Sequence, residues 1–286
     1  MSLAYSAGAP PVLNQTNLLP IGRFYGAGVT RWTSDAACTE LVHEKARTVP
    51  EHVHEAPYFC LLLGGTYREW SAARDLTYRP MTLTYHPPGL AHADEIGRGG
   101  ARFFMVELGA SWLPQIAALG ATHEHLTELH DTDALWTALR LQRTLAGGDD
   151  DDRDTCAGPL LHELVSHAAP APALGTRAPA WLESAERTLR RRFAEPLDLA
   201  SVAAENGVHP GHLARAFRRF RRRTVGAFVM HLRLRDACRR LSETDAPLAH
   251  IAVQSGFADQ SHLTRALSAR LGETPGRYRR ALDPAG

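Results

Sequence analysis

Two histidines in the first third of the chain have the type and spacing of ligands. His52 and His54 lie two positions apart, just before the apolar run at residues 58–63. Residues two apart on a strand point to the same face, so both imidazoles can turn toward one ion or one small molecule. Neutral imidazoles suit zinc, iron, nickel and copper. The pair predicts a metal site or a pocket for an organic ligand, with a purely structural role as the third alternative.

Arginine is the second residue type whose distribution indicates chemistry. Residues 1–179 carry 13 basic and 20 acidic side chains, a net charge of −7, whereas residues 180–286 carry 19 and 11, a net charge of +8. All 19 basic side chains of the second part are arginines, which can bind phosphate or guanine through two hydrogen bonds. A basic segment attached to an acidic one predicts that the C-terminal part contacts nucleic acid.

The basic segment also contains an internal repeat. The two copies share apolar positions around one glycine, namely Leu199, Val202, Ala203, Gly207, Val208, Leu213 and Phe217 in the first copy and Leu248, Ile251, Ala252, Gly256, Phe257, Leu263 and Leu267 in the second. A short helix, a glycine suited to a left-handed turn and a second helix are the pattern of a helix-turn-helix unit. Two units at matched spacing favour DNA binding over the alternative, a plain helical bundle.

A predicted helix at residues 224–241 separates the two copies. One of its faces is apolar, and at 1.5 Å per residue it is about 27 Å long. A rod of this length can hold two recognition helices about one DNA turn apart. One chain can therefore read two successive segments of the major groove, and dimerisation is optional for contact.

The repeat and the ending at residues 272–279 resemble the DNA-binding domain of the AraC/XylS family of transcription regulators. In that family the second helix of each unit enters the major groove, which implies recognition helices at residues 210–220 and 259–269. The resemblance assigns the base-contacting positions to Gly211, Ala214 and Arg215 in the first unit and to Gln260, Ser261, His262 and Arg265 in the second.

The two predicted recognition helices differ in what they can read. Gly211 and Ala214 stand where larger polar or aromatic side chains are usual in the family, so the second unit is expected to supply most base-specific contacts. Arg218 and Arg221 belong to a run of arginines that ends at residue 223. Blocks of like charge position a protein without specifying sequence, so these two are expected to contact phosphates.

The N-terminal part resembles the cupin-type sensor domain that precedes such DNA-binding domains. The resemblance rests on His52-Val53-His54, on two glycines at 64 and 65, and on the segment 87–92, which ends in His92. It implies that His52, His54 and His92 converge in the lumen of a barrel, with His86 as a further participant. The glutamate that cupins usually carry shortly after the first histidine pair is missing, and Glu55 comes too early to replace it.

The elements that must position these residues follow from the same sequence. Short β-rich segments, clearest at 58–63, 65–70, 81–85 and 102–108, predict a small barrel or sandwich. Helical spacing begins after Gly109, and helices between residues 133 and 167 are expected to pack between domains or subunits. An acidic loop is predicted at 147–152 and an interdomain linker at 169–175.

These observations predict an α+β chain with a cupin-like β-barrel at residues 1–110, a helical connector at 111–179 and an all-α domain with two helix-turn-helix units at 180–286. The predicted function is a sequence-specific DNA-binding transcription regulator, an activator, that responds to a small-molecule effector. Double-stranded DNA and RNA polymerase are its expected partners. The sequence leaves open whether the chain forms a homodimer and whether the barrel holds a divalent transition metal. The rival is a metal-dependent cupin enzyme with an added helical domain.

The cysteines and the hydropathy of the chain argue against a disulfide-rich secreted protein and against a membrane protein. Cys38, Cys60, Cys156 and Cys238 are far apart in sequence, which favours reduced thiols over a disulfide framework. Neither a leader peptide nor an apolar run of membrane-spanning length is apparent. We therefore expect a cytoplasmic protein without contact to membranes.

Overall fold

A computed structural model describes residues 17–118, 125–147, 150–168 and 178–282. Nine strands within these residues join in one sheet, here called the β-domain: β1 Leu18–Leu19, β2 Ala27–Thr33, β3 Ala36–His43, β4 Arg47–His54, β5 Tyr58–Trp70, β6 Asp75–Tyr78, β7 Thr82–His86, β8 His92–Leu108 and β9 Thr127–Glu128. The order is β1-β4-β8-β5-β7-β9, with β2 and β3 attached through β8 and β6 attached to β5.

The two long strands bend the sheet. β5 merges the segments 58–63 and 65–70, which the sequence predicted as separate strands, and its pairing with β8 shifts register on both sides of Gly64 and Gly65. Gly65 has φ +78°, and a Cβ there would lie 2.1 Å from the carbonyl oxygen of Gly100. Such irregularities increase the local twist and bend, so the sheet curls around an interior lined by the histidines.

Helices follow the sheet. A 3-10 turn, Ala110–Trp112, leads into α1 Leu113–Ala117, and two longer helices form the connector: α2 Ala134–Ala146 and α3 Asp150–Ala168. The predicted loop at 147–152 is therefore wrong from Asp150 onward. Acidic residues are favourable in the first turn of a helix, which is consistent with their place in α3. Residues 148–149 and the predicted linker at 169–175 lie outside the described residues.

The remaining seven helices lie in the C-terminal part of the described chain: α4 Ala180–Arg192, α5 Leu199–Glu205, α6 Pro210–Arg221, α7 Val225–Glu243, α8 Leu248–Gln254, α9 Gln260–Leu271 and α10 Pro275–Leu282. Unit one denotes α5 and α6 with α4 packed on them, and unit two denotes α8 and α9 with α10. The long helix α7 joins the two units, as the sequence predicted for residues 224–241.

Apolar side chains of the two units belong to different cores. The first core runs continuously from the β-domain through α2 and α3 into the second half of α7 and unit two, and it includes Leu83, Leu139, Leu241 and Leu263. The second core is confined to unit one and the start of α7, around Phe217. Unit two is thus part of one packed body with the β-domain and connector, whereas unit one has a core of its own.

Other features of the described residues agree with the sequence. Cys38, Cys60 and Cys238 are buried, Cys156 is exposed, and all four are free thiols. Phe217, Phe228 and Phe257, whose spacing placed them in the core, are buried. No helix within the described ranges is long and apolar enough to cross a membrane.

Candidate functional site

The helix-turn-helix geometry predicted from the repeat is present in both copies. α5 and α8 begin 49 residues apart, and α6 and α9 begin 50 residues apart. The turn in each unit contains a glycine with positive φ, 66° at Gly207 and 83° at Gly256. Residues other than glycine rarely adopt this backbone conformation, which explains the glycine at this position of both copies. A Cβ at Gly256 would also lie 2.8 Å from the Cα of Ala194.

The predicted reading side chains of unit one lie on α6. Arg215 is exposed, whereas Gly211 and Ala214 are half-buried. Pro210 occupies the first turn, where a missing N–H costs nothing, and the His209 ring caps the helix by accepting the Gly211 N–H at 3.1 Å. Arg215 is therefore the long side chain that this part of the helix offers to a base edge.

Unit two offers more polar groups. Gln260, Ser261 and Arg265 are exposed on α9, and His262 is half-buried because its ring packs edge-on against Phe257 at 5.2 Å between centroids. Asp259 caps the helix by accepting the His262 N–H at 2.7 Å. The contrast between the two helices agrees with the expectation that unit two carries most base contacts, which stays a prediction.

The two arginines expected at phosphates differ in their surroundings. Arg218 is exposed on α6. Arg221, the last residue of the helix, donates from both Nε and Nη2 to one carboxylate oxygen of Glu186 on α4, at 3.0 and 2.8 Å. This ion pair could not be predicted from the sequence, because Glu186 lies 35 residues from Arg221 and the two meet only after α4 and α6 have packed. A phosphate contact of Arg221 stays a prediction that must compete with this pair.

The three histidines of the β-domain come together as the resemblance implied. His52, His54 and His92 are buried, and one donor atom of each lies within 4.8 Å of the others. β4 supplies the first two and β8 the third, and His52 pairs with His92 in the strand register. His86, the further candidate, is buried beside them on β7.

Hydrogen bonds orient two of these rings for coordination. The Nδ1 atoms of His52 and His92 lie 2.9 and 3.0 Å from the carbonyl oxygens of Pro50 and Leu90. A carbonyl can only accept, so each Nδ1 carries the hydrogen and each Nε2 keeps a lone pair for a metal. The Nε2 of His92 now accepts from the hydroxyl of Tyr58 at 3.2 Å.

Two buried carboxylates lie beside the histidines. Glu107 on β8 lies 3.2 Å from Nδ1 of His54, and Glu69 on β5 lies 3.0 Å from Nε2 of His86. Sequence reasoning missed both because they stand 53 and 17 residues from their partners. Their place on predicted strands was a signal, but only the register of β5 and β8 shows which face they occupy.

Burial keeps His52, His54 and His92 uncharged. It lowers the pKa of His54 to about 2 and that of His92 to about 3; neighbouring histidines act in the same direction, and Glu69 opposes the change at His92. Burial also raises the pKa of Glu107 to about 8, although the Gly22 N–H opposes this. Neutral imidazoles are the form that coordinates metals. A cation bound among them would favour the ionised form of Glu107.

The histidines line a small cavity of about 40 Å³. Such a space holds on the order of three water molecules. Tyr25 and Phe24 pack against the rings of His52 and His54, with centroids 5.3 and 5.0 Å apart. Glu69 also lines the cavity. The histidines and Glu69 make the lining polar, which suits an ion or a small polar molecule.

Comparisons with known proteins concern mainly the C-terminal part. The family model described as "Helix-turn-helix domain" matches residues 202–281. The regulatory protein SoxS of Escherichia coli K12 is 31% identical over 88 residues, which cover 31% of this chain and 82% of SoxS. The transcriptional regulator GlxA of Rhizobium meliloti is 34% identical over 126 residues, which are 42% of this chain and 39% of that protein. The chain thus spans about two fifths of GlxA.

Several solved structures of one protein align over most of the length. ToxT of Vibrio cholerae covers 86% of this chain and 98% of its own, with 10% identity and a TM-score of 0.36. Values this low support no conclusion about fold or function.

The repeated scaffold, in a segment that matches a helix-turn-helix model, defines the C-terminal part as a double helix-turn-helix domain. With SoxS matched over most of its length, the chain belongs to the AraC/XylS family of DNA-binding transcription regulators.

Proposed function

We propose that the chain is a sequence-specific transcription activator whose DNA binding responds to a ligand in the β-domain. The observation that carries this is the pair of recognition helices, α6 and α9, with Arg215 and Arg265 exposed at equivalent positions. The charge of +8 on residues 180–286 supports phosphate binding by the same part. Family membership supports contact with RNA polymerase and an activating role.

Selection of bound genomic fragments tests the DNA-binding proposal. The full-length chain is incubated with sheared DNA of its source at about 0.15 M salt, a condition that weakens nonspecific binding. A shared site should emerge with two half-sites about one helical turn apart, because α7 spaces the two units. Bound fragments without any shared sequence would contradict specific recognition.

The ligand of the β-domain is proposed to be a divalent transition metal held by His52, His54 and His92. Three buried neutral imidazoles, two of them with rings oriented by hydrogen bonds, support this choice. We assign the cupin-type barrel to residues 1–110, the connector to 111–179 and the DNA-binding domain to 180–286. When bound, the metal would supply a fixed charge that draws strands β4 and β8 together.

Glu107 is expected to strengthen metal binding through His54. Replacement Glu107→Gln removes the carboxyl group that faces Nδ1 of His54, and with it the charge that a bound cation would favour, while keeping the side-chain shape. Loss of such a partner typically lowers metal affinity about 10- to 100-fold. Titration of the metal-free full-length protein with Zn(II) against a competing chelator measures the change.

Glu55→Gln is the matched control. Glu55 is an exposed carboxylate in the same part of the β-domain, and it accepts the Ile21 N–H at 3.1 Å. Solvent screens the charge of this exposed carboxylate, so its replacement should leave Zn(II) affinity within about twofold. Equal losses in both variants would show that Glu107 acts only through the general charge of the domain.

A further inference from the structure

The two DNA-binding units are attached to the β-domain in different ways. Unit two shares a continuous apolar core with the sheet and the connector, and Tyr278 of α10 donates its hydroxyl to Sδ of Met81 at 3.3 Å. Unit one has a separate core. Packed cores are not continuously deformable, so unit two is held rigidly on the β-domain. The position of unit one depends on contacts outside the cores, among them those of Arg233 on α7 with the carbonyl oxygens of Phe193 and Glu195.

A chain of ion pairs makes such a connection. Asp131, in the loop between β9 and α2, accepts from Arg190 of α4 at 2.5 Å. Arg190 also donates to Glu186 at 2.9 Å, and the second oxygen of Glu186 accepts both hydrogen bonds from Arg221. Arg221 ends the recognition helix α6. The chain therefore runs from the connector loop to the end of the helix that unit one presents to DNA.

Asp131 also binds the long helix α7. Its other carboxylate oxygen accepts from Arg235 at 3.1 Å, and Arg235 donates as well to the carbonyl oxygen of Met81, next to β7. Although burial alone would raise the pKa of Asp131, nearby His130, Arg190 and Arg235 hold it below its usual value. The carboxylate is thus ionised and bridges α4 and α7.

The loop that carries Asp131 is continuous with the wall of the histidine site. β9 pairs with β7 through Thr127 and Tyr85, and the Leu129 N–H donates to the carbonyl of Leu83 at 2.8 Å. β7 ends at His86, whose Nε2 contacts Glu69 of the cavity. A shift of β7 is therefore transmitted to the Asp131 loop through backbone hydrogen bonds.

We propose that Asp131 is the positioning residue that sets unit one relative to unit two, and that the β-domain adjusts DNA recognition by moving unit one through it. This rests on the proposed function. In the absence of the bridge, unit one would shift together with the start of α7, which shares its core, while unit two stays fixed. The β-domain would then regulate the distance between the two recognition helices and not the base contacts that either helix makes.

Asp131→Asn tests the proposal. The amide keeps the size of the side chain but loses the charge that attracts both arginines. Because partly exposed ion pairs add little to global stability, the variant should fold. Asp133→Asn is the matched control, since Asp133 lies two residues away and pairs with Arg270 of unit two.

The main readout is tolerance to half-site spacing on the selected DNA. Insertion of one or two base pairs between the half-sites should weaken the wild-type chain and Asp133→Asn by about tenfold or more, because both recognition helices must stay in register with the groove. Asp131→Asn should lose about threefold or less, because unit one can follow the displaced half-site. The same penalty in all three proteins would overturn the proposal.

A second readout needs no DNA. Spin labels at Glu51→Cys and Ala204→Cys, in a Cys156→Ser background, report the distance between the β-domain and unit one, since both positions are exposed. Asp131→Asn should broaden this distance distribution, and Asp133→Asn should not. An unchanged distribution in Asp131→Asn overturns the inference whatever the chain binds. Absence of any selective DNA binding by wild type would instead overturn the proposed function.

Discussion

Protein purified without a histidine tag should contain one transition-metal ion per chain, and a His52→Ala/His54→Ala double variant should contain none. The two side chains supply two of the three imidazoles that lie within 4.8 Å of one another, and His92 alone does not make a site. Metal analysis of both proteins after dialysis against buffer with Zn(II) measures the difference. The wild-type chain should also melt at a higher temperature with Zn(II), because a ligand at 100 times its Kd stabilises the folded state by about 2.7 kcal/mol.

A His162→Ala/His167→Ala double variant is the control for nonspecific coordination. It removes the same number of histidines from α3 in the connector, away from the cavity. Its metal content should equal that of wild type. Metal content that persists in the His52→Ala/His54→Ala variant would exclude the triad as the site, and a wild-type chain without metal would leave the cavity to another small ligand.

Arg265→Ala should lower affinity for the selected site by about 5- to 150-fold while changing binding to random DNA little. Arg265 is exposed on α9, one turn after Ser261, on the face that the repeat turns toward base edges. An arginine bound to guanine contributes about 1–3 kcal/mol of discrimination. A salt titration on both DNAs measures the two affinities.

Arg218→Ala is the matched phosphate control. Arg218 is exposed on α6 within the arginine run, so its loss should weaken both DNAs alike and reduce the salt slope by about one unit. Arg221 is a poorer control, because Glu186 already binds its guanidinium. Equal weakening of the two DNAs by Arg265→Ala would show that unit two does not read the sequence.

Local periodicity predicted much of the DNA-binding part. The repeat located both units, and the structure extends the predicted recognition helices only to Arg221 and Leu271. The glycines at 207 and 256 were readable because a left-handed turn restricts the residue type. These features depend on residues within one or two turns of each other.

Long-range partners could not be read in the same way. Glu107 faces His54 only because β8 returns beside β4, and Asp131 meets Arg190 only after the connector and α4 have packed. The sequence placed an acidic loop at 147–152, yet Asp150 begins α3. Charge alone does not separate a solvated loop from the start of a helix, since acidic residues suit both.

The continuous first core bears on how the protein is made. Tyr278, in the last helix of the described chain, packs on Met81 at the edge of the sheet, and both are fully buried. A growing chain exposes that surface until α10 has left the ribosome. Premature stop codons before α8 would leave apolar surface on the β-domain, a feature that chaperones and proteases detect. The β-domain therefore folds with a covered surface only when α8 to α10 have been synthesised, and cells should not accumulate a β-domain that lacks unit two.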